Sequence, residues 1–115
     1  MKGHSFLRRL GFAWAGLASA WRREQSFRIQ VMAGAAALAV LVILRPAPVW
    51  WALVLLASAG VLAAELFNAT VEQLCDHLHP DMHPAIKSVK DLAAGAVLIA
   101  SLGALAVGAL FVIAV

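Results

Sequence analysis

Residues 63–77 read AAELFNATVEQLCDH, with Glu65, Asn68, Glu72 and Asp76 at steps of three and four. At about 100° per residue, with Glu65 at zero, Asn68 falls near 300°, Glu72 near 340° and Asp76 near 20°. All four share a helix face about 80° wide. Acids in such a row repel one another and call for a cation. Carboxylates beside an amide suit magnesium, a hard ion that keeps waters and often bridges to phosphate. Lys90 and Asp91 follow in the chain. A lysine there could hold a transferring phosphoryl group. Glu24 could complete the metal site. The plain alternative is that these acids only pair with Arg22, Arg23, Lys87 and Lys90 at headgroup level.

These residues need elements to hold them, and composition says which. The 115 residues are 63% hydrophobic and only 13% charged, with a mean hydropathy of +0.90. A soluble domain of this size has too little interior for that much apolar surface, so an all-α membrane protein is expected. The single cysteine, Cys75, excludes an internal disulfide and a cysteine-rich zinc site. No compact apolar core with a cleavage site opens the chain, so no signal peptide is expected. Six of the nine basic residues precede position 29, and the net charge is +3. That bias fits a membrane surface better than nucleic acid.

One domain over 1–115 is expected. In residues 1–28, Leu7, Leu10, Trp14, Leu17 and Trp21 recur at helical steps opposite Arg8, Arg9, Arg22 and Arg23. This is the pattern of an amphipathic surface helix. Three spans follow: 29–45, 49–77 with a polar end, and 84–115. RPAP at 45–48 breaks the first two apart. Arg45 alone is basic between the first two spans, whereas Lys87 and Lys90 precede the apolar run of the third, which begins at Leu92. The N-terminus and the 77–91 loop are therefore expected in the cytoplasm, and the C-terminus outside. Ala33 with Ala37, Gly60 with Ala64, and Ala104 with Gly108 form small-xxx-small pairs that allow close helix approach.

ELFNATVEQLCD from Glu65 to Asp76, then KDLAAGAVL from Lys90, resemble the signature of the bacterial integral-membrane diacylglycerol kinase family. FAWAG from Phe12 and WRREQSFR from Trp21 to Arg28 also match. The resemblance covers nearly the whole chain, and the combination is highly specific. It implies a surface helix plus three transmembrane helices, assembled as a homotrimer with active sites shared between protomers, in the bacterial inner membrane. It implies transfer of the γ-phosphate of ATP to a lipid hydroxyl, with magnesium as cofactor. By the same resemblance, Glu65 is the catalytic base, and Glu24 and Glu72 hold magnesium on the ATP phosphates. Lys90, Asp91, Asp81 and His83 are nucleotide-contact positions. Trp21, Ser26, Phe27 and Arg28 line the lipid site, and Asn68 and Asp76 give polar support. Gln30 stands where the diacylglycerol kinase branch often has glutamate, and Met82 replaces an aromatic seen in some members. EQSFRIQ from Glu24 and HPAIKSVKD from His83 resemble the undecaprenol kinase branch more closely.

Other signals weigh less. His77, His79, Asp81 and His83 alternate in HLHPDMH, which invites a zinc or copper site. The bland alternative is a cytoplasmic turn, with Pro84 starting the third span and His83 near its cap. Asn68-Ala-Thr70 matches the glycosylation pattern, but not at a cytoplasmic helix end. Neither a Walker A loop nor a protein-kinase glycine loop is present. The rival function is a non-enzymatic membrane protein, an ion path or an assembly subunit. Such a path has no need of Lys90 beside the acids.

Overall fold

A computed structural model describes residues 3–81 and 83–115, so Met82 lies outside the described residues. Four helices follow in order: α1 Phe6–Arg23, α2 Gln25–Leu44, α3 Pro48–Leu78 and α4 Pro84–Ala114. Ser5 caps α1, its hydroxyl accepting from the Arg8 amide at 3.3 Å. The helix exposes the apolar row Leu7, Leu10, Trp14, Leu17 and Trp21 on one side.

Glu24 ends α1 in an extended conformation (φ −111°, ψ 104°). Arg28 then reaches back, its Nη1 donating to the carbonyls of Trp21 at 2.7 Å and Arg22 at 3.2 Å. A cation here satisfies carbonyls the helix end leaves open and suits the negative end of its dipole. The second helix therefore starts at Gln25. Ser26, Phe27 and Arg28, expected within the N-terminal segment 1–28, belong to α2 and not to α1. α2 stops at Arg45, left-handed at φ 47° and ψ 59°, followed by Pro46. Pro48 opens α3, and Pro84 opens α4 with His83 Nδ1 accepting from the Ala85 amide at 3.1 Å.

Three helices, α2, α3 and α4, are long and apolar enough to cross a membrane. The 20 residues of α2 give about 30 Å, the thickness of the hydrocarbon. The 31 residues each of α3 and α4 give about 46 Å, so both outrun it. α3 is the central element, packing on α4 and on α2, while α1 packs on α2. Ala20, Phe27, Leu41, Val61, Ala69, Cys75 and Phe111 form the small core. Trp50 meets Phe111 edge to face at 5.4 Å, joining the start of α3 to the end of α4. Large apolar residues such as Ile43, Leu56, Ile99 and Ile113 point outward, as hydrocarbon permits.

A groove of about 720 Å³ opens between α2 and α4, with α3 as its floor. Ala33, Ala37, Ala104 and Gly108 line it. Two of the three small-residue pairs thus face open space within the chain. The third does not bring helices together either, since a Cβ on Gly60 would have nothing within 4 Å. Gly34 is the glycine that meets a neighbour: a Cβ there would lie 3.8 Å from Ser58 Cβ.

Candidate active site

Val61, Glu65 and Ala69 recur every fourth residue on α3 and form its buried stripe. Glu65 is the buried acid, only 8% exposed. Glu72 and Asp76 continue the same face and are exposed. The charges of Glu24 and Glu72 both act on Glu65. Glu24 is brought there by the break between α1 and α2. Its Oε1 accepts from Gln73 Nε2 on α3 at 3.4 Å. Glu72 Oε1 accepts from Asn68 Nδ2 at 3.3 Å. The other amide atom, Asn68 Oδ1, is buried without a hydrogen-bond partner among the described residues.

Lysines sort the acids into two sets. Lys90 Nζ lies 2.6 Å from Asp76 Oδ1 and ties α4 to α3. Lys87 Nζ lies 2.7 Å from Asp91 Oδ2 within α4. Pairing with basic residues therefore describes Asp76 and Asp91. It does not describe Glu24, Glu65 or Glu72, which form no ion pair among the described residues. Arg22 and Arg23, offered as partners by sequence position, pair with no acid among the described residues.

The remaining expected positions are scattered. Trp21 is exposed on α1 and Ser26 on α2, whereas Phe27 is buried and Arg28 is engaged with the end of α1. Asp81 and His83 are exposed between α3 and α4, where the His83 ring caps α4. His77 and His79 are exposed as well. No three His, Cys, Asp or Glu side chains among the described residues converge to hold a metal by themselves. The donors near Glu65 are carboxylates and one orphaned amide oxygen, an all-oxygen set. Such an incomplete set fits magnesium, which keeps waters and takes phosphate oxygens as further ligands.

Gln73 is the participant that sequence reasoning does not find. It lies about 80° round the helix from Glu65, on the flank of the acid face. Its partner is 49 residues away, and no spacing rule spans that distance.

These features describe a multi-pass membrane protein whose third helix carries a row of acids toward its C-terminal end. The pattern of the family described as prokaryotic diacylglycerol kinase matches residues 11–112, and the chain belongs to that family. It is 35% identical over 98 residues to a diacylglycerol kinase of Synechocystis sp., covering 84% of this chain and 56% of that protein. It is 29% identical over 92 residues to an undecaprenol kinase of Bacillus subtilis, covering 80% and 75%. It is also 29% identical over 90 residues to a diacylglycerol kinase of Escherichia coli K12, covering 78% and 74%. The chain thus spans little more than half the length of its Synechocystis relative.

Proposed function

We propose that the chain is an ATP- and magnesium-dependent lipid kinase. It transfers the γ-phosphate of ATP to the hydroxyl of a membrane lipid alcohol, making phosphatidate from diacylglycerol or undecaprenyl phosphate from undecaprenol. One observation carries the reading: Glu24 and Glu72 each accept an amide hydrogen bond and, like Glu65, form no ion pair among the described residues, while Asp76 and Asp91 are each held by a lysine. Glu65 is the base that takes the hydroxyl proton as attack proceeds. Glu24 and Glu72 hold magnesium, which offsets charge on the phosphates. Lys90, Asp91, Asp81 and His83 receive the nucleotide, with Lys90 leaving Asp76 for a phosphate oxygen.

α1 lies on the cytoplasmic surface, with Trp21, Ser26, Phe27 and Arg28 along the lipid's approach. The two-faced sequence of α1 and its exposed apolar row support that placement. The excess of basic residues at the N-terminus and in the 77–91 loop supports a cytoplasmic N-terminus and an outside C-terminus. The location is the bacterial inner membrane. A homotrimer with shared sites is supported by the small-residue groove between α2 and α4, which the chain does not fill by itself. An ion path or assembly subunit would leave the lysine pairs beside the acids without a role.

The test is phosphoryl transfer from ATP by purified protein in mixed micelles with magnesium, with diacylglycerol and undecaprenol run side by side. Phosphorylation of one lipid is expected. Failure with both overturns the kinase reading.

A further inference from the structure

The acids at the site fall into two classes by the donor that holds them. Asp76 and Asp91 take lysine ammoniums, which cancel their charge. Glu24 and Glu72 each take one amide hydrogen bond on Oε1, from Gln73 and Asn68. An amide orients a carboxylate without neutralising it, and it leaves the second oxygen free. That is what a cation ligand needs from its neighbours.

Glu24 needs such help more than Glu72 does. Asn68 and Glu72 sit four residues apart on one helix, where side chains meet readily. Glu24 sits at an extended break between two helices; its amide donates to the Ala20 carbonyl at 2.8 Å, but its side chain makes no capping hydrogen bond among the described residues. Arg28 fixes the backbone of that elbow from below, through the Trp21 and Arg22 carbonyls. Among the described residues, Gln73 provides the side-chain hydrogen bond that joins Glu24 to the helix bearing Glu65 and Glu72.

We propose that Gln73 is a positioning residue for Glu24: it holds that carboxylate toward the acid face of α3 while leaving its charge available to a divalent cation. The proposal rests on the lipid-kinase reading above. It deepens that reading by adding a residue that touches neither phosphate nor lipid.

Two substitutions separate this role from simple bracing. Gln73→Ala removes the donor. Gln73→Lys keeps a long donor but brings a charge that pairs with Glu24. A mere brace would be restored by lysine. A charge-sparing positioner would be harmed more by lysine than by alanine. Binding of Mn²⁺ with a non-hydrolysable ATP analogue is followed by electron paramagnetic resonance in micelles, and magnesium dependence of lipid phosphorylation is measured in parallel. Gln73→Ala should weaken Mn²⁺ binding by about tenfold, the low end for partners that orient metal ligands. Its kcat at saturating magnesium should match wild type. Gln73→Lys should bind Mn²⁺ more weakly still, with an unfolding temperature close to wild type because the residue is exposed. Wild-type Mn²⁺ binding in Gln73→Lys, with the wild-type protein active, overturns the role of Gln73 alone. Absence of Mn²⁺–nucleotide binding and of lipid phosphorylation in the wild type overturns it together with the kinase reading.

Discussion

Replacing Glu65 by glutamine should move activity and stability in opposite directions. The substitution keeps the volume of the side chain, so no cavity forms. It deletes a negative charge from a residue that is 8% exposed and forms no ion pair among the described residues. Glu24 and Glu72 add like charge around it. A charge held in that setting costs the folded state, and its removal should stabilise by about 1–2 kcal/mol. A glutamine amide cannot take the hydroxyl proton. Loss of a positioned general base costs about 10²–10⁴ in rate, or about 2.7–5.4 kcal/mol of barrier at 1.36 kcal/mol per factor of ten. The assay is lipid phosphorylation in mixed micelles at saturating ATP and magnesium, with unfolding temperature measured in the same micelles. Turnover within tenfold of wild type would refute the base assignment. Loss of activity with a lower unfolding temperature would refute the energetic reasoning, because the defect would then be structural. Glu65→Asp provides a control: the charge stays but withdraws by one methylene, so activity should fall without the gain in stability.

The Lys90–Asp76 pair is half open to solvent, with side-chain exposures of 33% and 66%, so a Lys90→Met, Asp76→Asn double-mutant cycle should show only weak coupling in unfolding measurements, and less as salt is raised. Arg28→Ala should lower stability by about 1–2 kcal/mol, since two carbonyls at the end of α1 lose a charged donor; circular dichroism during unfolding checks it. Gly34→Ala should be accepted, because 3.8 Å to Ser58 Cβ is an ordinary contact, and the helix gains about 0.5–1 kcal/mol. Gly34→Leu should push α2 off α3 and lower the unfolding temperature. Chelation with EDTA should abolish phosphorylation reversibly, and added magnesium or manganese should restore it.

Much of this molecule is local and was therefore readable. Hydropathy marks three long helices, and the prolines at 46, 48 and 84 mark where chains of helical residues must stop and start. Helical periodicity alone puts Glu65, Asn68, Glu72 and Asp76 on one face. The cap at His83 also follows from its place before Pro84. The break at Glu24 is different. No proline or glycine announces it in WRREQSF, and Arg28 closes it by folding back over the preceding helix end. The division of the acids is not local either. Asp76 reaches Lys90 across 14 residues and Glu24 reaches Gln73 across 49, so only the packing of α3 against its neighbours decides which acid meets a lysine and which an amide. The small-residue pairs were legible as a pattern but not as an outcome, because small side chains permit close approach without choosing a partner.

The length of α3 explains why a lipid kinase would place its groups in this order. Counted from Pro48 at 1.5 Å per residue, Glu65 stands about 26 Å along the helix and Glu72 about 36 Å. A hydrocarbon layer of about 30 Å then has its boundary between them. Counted back from Ala114 on α4, Lys90 stands at about 36 Å, level with Glu72. Under the proposed lipid-kinase reading, Glu65 would then stand just inside the lipid phase, where an alcohol dissolved in the bilayer can present its hydroxyl. Glu72 and Lys90 would stand just outside it, where a soluble polyanion can arrive. A carboxylate one turn deeper than Glu65 would meet hydrocarbon without phosphate. One turn shallower, it would meet water, which competes as acceptor. Helices 31 residues long, not 20, are what let one continuous face serve both phases.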